Sequence, residues 1–385
     1  MGCSQDANAV EGPRMTRPAV GGVRQASPSR VVIVTNAPAP YRSPVFARLG
    51  DDYEIVFCAA SESNRSWGAV DLNFRHRFIP GRVHRHSDGY NYIYFNWAIL
   101  SVLSQIDPDV LITTGFNPTH LVAFAWAKLR SRPHIVMTDG TLASEAGLSR
   151  IHRLVRRAVF RMTSAFVVTG HGGRELLESY GVSGERVHVS RLSAPELPGA
   201  PPPMREREFD VLFCGQLHPR KAPLFFAEVC KALRDARGTC RCLIIGDGPL
   251  RAEVLRALDD AQLEYSYLDA VPYAEIGRQY ARAKVLLFPT LQDAWGLVAN
   301  EAFAAGTPVI TTPEAGVSGD LVIDGVNGCI APLDVDAWCE LASDLLSNPD
   351  KWGIFSQAAR LQGATFSYTA AAAGIESAVQ LARHG

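Results

Sequence analysis

Short, mostly apolar runs of four to six residues recur along the chain, separated by stretches whose apolar positions return every three or four residues. Runs at 31–34, 55–59, 109–113, 134–138, 165–169 and 186–190 form a first group. Runs at 210–214, 242–245, 267–271 and 284–288, with another starting at Pro308, form a second. Such runs suit strands of a parallel sheet, which helices cover on both faces. Helical patterns lead to Leu49 and occupy 121–129, 150–162, 174–180 and 297–305, the last stopped by Gly306 and Pro308. This alternation predicts an α/β fold of doubly wound sheets.

The alternation breaks at 195–208, where Gly199-Ala200-Pro201-Pro202-Pro203 reads as a linker. A chain of 385 residues is long enough for two cores. The expected divisions are therefore a leader at 1–28, an N-terminal Rossmann-like domain at 29–194, and a C-terminal one at 209–368. The leader is rich in Gly, Pro, Ser and Arg and lacks the apolar core of a secretion signal, so it reads as disordered, with translation starting at Met1 or Met15. Its opening Met-Gly-Cys resembles a lipidation motif, but Asp6 stands where Ser or Thr is required.

A net charge of -1 gives no reason to expect a nucleic-acid partner. No run approaches the roughly eighteen apolar residues of a membrane-spanning helix, which suits a cytoplasmic protein. The eight cysteines are scattered. Cys240 and Cys242 point to one face of a strand, but no second Cys/His pair completes a zinc site, so buried free thiols are expected and no metal site.

The densest chemistry lies at 289–312. A strand leads into a loop that delivers Asp293, Trp295 and Gly296 to a helix start, whose unpaired N–H groups and positive dipole end suit a phosphate. Glu301 follows Asp293 by eight residues, about two turns. Upstream, Gly215-Gln216-Leu217-His218-Pro219-Arg220-Lys221 follows one strand and Gly246-Asp247-Gly248-Pro249 the next; Asp324-Gly325-Val326-Asn327-Gly328 and Phe366-Ser367-Tyr368 come later.

In this order the segments resemble the family 4 glycosyltransferases, retaining enzymes of the GT-B fold that use nucleotide-diphosphate sugars. The resemblance runs from about Val31 to the C-terminus and is densest from Gly215 on. It implies two Rossmann-like domains facing a cleft, with a helix at 369–385 returning to the first. The paired acids resemble the family's Glu-x7-Glu, which would put the sugar hydroxyls on Asp293 and the ribose on Glu301. Asp293 is one methylene shorter than the usual Glu. Lys221 matches the lysine that neutralises the diphosphate, while Gln216 replaces the family's Arg, with Arg220 beside it. Gly215, Gly246, Gly296, Leu297 and Val298 complete the donor set implied, the last three through the helix start. No Asp-x-Asp motif occupies a suitable loop, since Asp334-Val335-Asp336 reads as a helix cap. A reaction without metal or cofactor is expected, the nucleotide sugar being a substrate.

Asp139 falls at or near the family's reacting His. It could take the acceptor hydroxyl's proton or merely cap a helix. Arg42, in a Pro-Tyr-Arg turn, either meets a phosphate or acceptor or caps a surface. Arg65 and Trp67 open a basic, aromatic stretch at 65–86 that suits a sugar or anion, or is a solvated loop. Asn117 lies in the loop after the strand at 109–113. Arg42, Arg65, Trp67 and Asn117 are the candidate acceptor contacts. The helix at 150–162 carries Ile151, Leu154, Val155, Ala158, Val159 and Met162 on one face and Arg150, Arg153, Arg156, Arg157 and Arg161 on the other. It is expected to pack on the core, or to rest on an anionic membrane at the inner face and serve a lipid-linked acceptor. The expected activity is transfer of a sugar to an acceptor hydroxyl in cell-surface polysaccharide or glycolipid synthesis, with Asp139, Lys221 and Asp293 catalytic. Gln216, Asp293 and the missing His leave a catalytically weak sugar-nucleotide-binding protein as an alternative. A dinucleotide-dependent oxidoreductase or epimerase is a further one, disfavoured by the absence of Gly-x-Gly-x-x-Gly.

Overall fold

The computed structural model describes residues 30–62, 70–86, 92–195, 197 and 199–384. The expected disordered leader therefore lies outside the described residues, as do Arg65 and Trp67.

Among the described residues, nine strands belong to the first half: β1 (Val31–Thr35), β2 (Tyr53–Phe57), β3 (His76–Phe78), β4 (Arg82–Arg85), β5 (Tyr92–Phe95), β6 (Val110–Thr113), β7 (His134–Thr138), β8 (Ala165–Val168) and β9 (Val187–Val189). All except β4 and β5 form one parallel sheet in the order β3-β2-β1-β6-β7-β8-β9. The second half contributes β10 (Phe209–Cys214), β11 (Arg241–Ile245), β12 (Glu264–Leu268), β13 (Ala283–Phe288), β14 (Val309–Thr311) and β15 (Gly328–Ile330). These pair in parallel as β12-β11-β10-β13-β14-β15. In both sheets the order reverses beside the first strand, the point where an open α/β sheet leaves a crevice beyond its carboxyl ends. Val31 to Val34 and Val285 to Leu287 are fully buried, which is why each run carries no polar position. Two doubly wound domains are thus observed.

The helix Tyr368–His384 packs Ala371, Ile375, Ala378 and Val379 into the core of the first sheet. The linker ends tightly. Arg207 is buried, donating to the carbonyls of Ala283 (2.8 Å) and Ala305 (2.8 Å) and to the Thr307 hydroxyl (2.6 Å), while its guanidinium stacks on Trp352.

Several sequence expectations shift. The strand expected at 55–59 begins two residues earlier, because Glu54 enters the buried ladder with Arg75 and Arg77 as ion partners. Those cations, together with β3 and the antiparallel β4–β5 ribbon, turn much of the stretch expected to be a solvated or ligand-binding loop into an ordered edge. The helical pattern before Leu49 is one turn, Ser43–Phe46.

The helix Arg150–Met162 has the expected bounds but not the expected packing. Only Val159 and Phe160 are buried, while Ile151 is 74% and Leu154 67% exposed. The stripe overhangs the domain, so its first half has no core to meet. Arg156 leaves the basic face, pairing with buried Glu145 and lying 4.6 Å over the Phe116 ring.

Candidate active site in the interdomain cleft

β13 ends at Phe288, and the loop after it folds back so that Asp293 bridges Ala315 and its carbonyl receives the Gly316 N–H at 3.0 Å. Gly296 then turns the chain into the helix Leu297–Ala304 with φ +105. A side chain there would be strained and would also strike the Phe288 ring, so glycine is required. The loop is fastened by Trp295, whose indole N–H donates to Asn300 (2.7 Å), which in turn donates to the Leu192 carbonyl (3.0 Å). The first N–H groups of the helix, on Leu297 and Val298, have no acceptor within it.

The loop 215–221 lies alongside. The Arg220 carbonyl receives the Leu291 N–H (2.9 Å) and the Thr290 hydroxyl (3.1 Å), fixing the two loops to each other. From behind, Gly246 (φ +130) abuts the Gly215 carbonyl so closely that a Cβ has no room. This contact supports the Lys221 loop. Ala222, in a left-handed conformation, opens the helix Pro223–Arg237 directly after Lys221. The result is an ion pair between Lys221 and Asp293, with the ammonium 5.1 Å over the Phe288 ring. Arg220 is directed to the Gln292 carbonyl (3.3 Å).

Glu301 points inward, buried, and accepts the Tyr280 hydroxyl at 2.6 Å. Burial pushes its carboxyl up to about 7, partly offset by that bond. The Cys214 thiol, at the end of β10, is raised to about 12 by burial and by the charge of Glu301. The charges of Lys221 and Glu301 both reach this thiol, and Lys221 pairs with Asp293 after β13, so the three gather near the carboxyl ends of β10 and β13. Tyr280, at the end of the helix Tyr273–Tyr280, had no signal in the sequence.

Across the cleft, Asp139 follows β7. The helix Leu142–Ala146 is capped by Thr141, so the capping reading of Asp139 is ruled out. Its carboxylate accepts from Arg42 (2.7 Å) and from the Thr169 hydroxyl. Asp139 lines two adjoining cavities. One includes Thr35, Asn36, Tyr41, Arg42 and Thr114; the other lies between the domains and includes Gly170, Ala294, Trp295 and Gly316. The acid therefore stands where the two domains meet, in one cavity with Ala294 and Trp295 of the loop that follows β13. Arg42 is largely buried, with one guanidinium nitrogen unpartnered, so it is not a surface cap. Asn117 stands half-buried before the helix Pro118–Leu129 and is not among the residues lining these cavities. The domains also touch through Asp320, which accepts the His171 N–H at 2.6 Å. Neither Thr169 nor Asp320 was foreseen, since each works through a partner far away in the chain.

Asp334 accepts the Ala337 N–H as a helix cap (2.8 Å). Among the described residues no helix is long and apolar enough to cross a membrane.

Comparison with known proteins agrees with this arrangement. Residues 29–192 match the glycosyl transferase 4-like domain, and residues 208–348 match the glycosyl transferases group 1 model. Among curated proteins, the chain is 28% identical over 216 residues to a D-inositol 3-phosphate glycosyltransferase of Gordonia bronchialis, covering 50% of this chain and 47% of that one. It is 32% identical over 165 residues to one from Mycobacterium sp. (strain KMS), covering 42% and 37%. The chain thus spans about half the length, or less, of the curated relatives it matches. Among solved structures, the Anabaena protein HepE in complex with UDP and glucose superposes with a TM-score of 0.70 at 13% identity, over 91% of this chain and 99% of that one. The sucrose-phosphate synthase of Thermosynechococcus elongatus gives 0.66 at 14% identity, over 91% and 98%. With both domains matched by family models and their two parallel sheets meeting at a shared cleft, this chain belongs to the group 1, family 4 glycosyltransferases of the GT-B fold.

Proposed function

We propose that this chain transfers a sugar from a nucleotide-diphosphate sugar to an acceptor hydroxyl, with retention at the anomeric carbon and without metal or cofactor. The observation that carries the reading is the Lys221–Asp293 pair, set beside the start of the helix Leu297–Ala304 and next to the cavity that Asp139 lines. Each member of the pair occupies the place of the other's ligand. On donor binding, Lys221 turns to the diphosphate with Arg220 beside it, and Asp293 turns to the sugar hydroxyls. The N–H groups of Gly296, Leu297 and Val298 face the phosphate, and Glu301 takes the ribose. As the bond to the sugar breaks, charge grows on the diphosphate, so the cation and N–H groups hold the transition state more tightly than the ground state. Asp139, paired with Arg42, receives the acceptor hydroxyl. UDP and glucose in the HepE complex support a nucleotide-sugar donor.

A membrane-borne acceptor in cell-surface polysaccharide or glycolipid synthesis fits the exposed helix Arg150–Met162. Arg150, Arg153, Arg157 and Arg161 follow the spacing of Ile151, Leu154, Ala158 and Met162 one residue out of step, about 100° around the axis. A row of cations thus flanks an uncovered apolar row, the arrangement that seats a helix in an anionic surface.

A thermal-shift panel of nucleotide sugars tests the central reading. One donor should stabilise the fold by mass action, and incubation with acceptors should release nucleoside diphosphate and give a product whose anomeric configuration matches the donor's. A panel in which no nucleotide sugar moves the melting temperature would remove the reading.

A further inference from the structure

The helix Pro223–Arg237 carries Cys230 on its buried face, over the amino end of β11. There Cys240 and Cys242, two residues apart and therefore on the same side of the strand, point at it. The sequence offered only the pair on the strand, because the third thiol comes from a helix ten residues earlier. All three are buried, and their sulfurs lie within 4.8 Å of one another, with Cys240 and Cys242 at 3.7 Å. Three sulfurs sharing one ion at the ~2.3 Å of a metal–thiolate bond stand about 4 Å apart. The thiols are already at nearly that spacing.

We propose that Cys230, Cys240 and Cys242 form a three-coordinate sulfur site for a soft, thiophilic divalent cation that ties the helix Pro223–Arg237 to β11. No fourth ligand stands with them among the described residues. The nearby acid, Asp210, is engaged by Lys284 (2.8 Å) and by the Arg241 N–H (2.9 Å). The surrounding Val211, Leu233, Leu258 and Leu263 exclude hard, water-loving ions. Binding of the cation forms three metal–sulfur bonds and displaces the protons that the three thiols carry, leaving one net negative charge, which Arg237 helps to offset. The site lies at the opposite end of β11 from Gly246, so it has no part in sugar transfer.

Titration of the reduced, full-length chain with cadmium chloride tests this. The expected result is one cadmium per chain, an ultraviolet sulfur-to-cadmium charge-transfer band, and a rise in melting temperature. Cys230→Ser and Cys242→Ser should each weaken uptake by roughly a hundredfold or more, while Cys58→Ser and Cys329→Ser leave it unchanged. A folded wild-type chain that shows no band overturns the proposal, whatever the variants do. So does a band that persists in Cys230→Ser.

Discussion

Lys221 and Asp293, 72 residues apart in the chain, close on each other as an ion pair whose side chains are 15% and 14% exposed. The pair is the hinge of the proposed donor site, because neither member can serve a ligand without releasing the other. Lys221→Ala should slow transfer roughly a hundredfold or more, as for loss of one electrostatic contact worth ~3 kcal/mol. Asp293→Asn should separate binding from chemistry. With no carboxylate to hold it, Lys221 should bind nucleoside diphosphate more tightly, while sugar transfer falls. Calorimetric titration with the diphosphate and a turnover assay check the two halves. Wild-type turnover in Lys221→Ala would remove the lysine from the mechanism.

Glu301 ties stability to pH. Its carboxyl is raised from 4.5 to about 7 in the fold, chiefly by burial. The stabilisation of its protonated form is full below about pH 4.5 and is lost as pH rises through 7. Above that the ionised group costs up to about 3 kcal/mol. Glu301→Gln escapes this cost and can still accept the Tyr280 hydroxyl. Its melting temperature should gain on wild type between pH 5 and 7 and hold the gain at pH 8. Tyr280→Phe should move the wild-type midpoint upward, since the hydroxyl favours the ionised form. Melting curves across the pH series decide it; a gap that does not change with pH would refute the assignment.

Arg207 anchors the end of the linker. Burial lowers its guanidinium to about 10, yet its several acceptors keep it charged at neutral pH. Arg207→Ala leaves those acceptors unmet and should cost about 3 kcal/mol. Arg207→Lys should recover only part, because an ammonium cannot reach Ala283, Thr307 and Ala305 together and stack on Trp352. Denaturant unfolding of the two variants gives both values.

Gly246→Ala places a methyl against the Gly215 carbonyl at a backbone angle that L residues avoid. The strain should fall on the loop that carries Lys221. Nucleotide binding is therefore expected to weaken more than the melting temperature falls, as thermal shift with and without nucleotide would show.

Ile151→Ser with Leu154→Ser should leave stability within about 0.5 kcal/mol, since both side chains are exposed. The double variant should lose sedimentation with anionic vesicles, and raised salt should reduce wild-type binding. Equal binding of wild type to neutral and anionic vesicles would remove the membrane reading.

The local layers of this protein were legible from its residues. Uninterrupted apolar runs such as 31–34 and 284–288 mark strands covered on both faces, and the Gly296 turn with its following helix is set by neighbours in sequence. The bounds of the helix Arg150–Met162 follow from its own periodicity. What that helix touches does not, because a stripe says that a face is apolar and not whether a partner reaches it.

Periodicity, glycine placement and local hydrogen bonding make most of the strands, the Gly296 turn and the phosphate-suited helix start readable along the chain, whereas β3, β4 and β5 left no such pattern. Which side chains meet is a property of the assembled fold. Lys221 found Asp293, Arg42 found Asp139, and Cys230 found Cys240 and Cys242. The sheet order and the closing of the two domains bring such groups within hydrogen-bond range, and a pairing across many residues leaves no periodic trace along the chain.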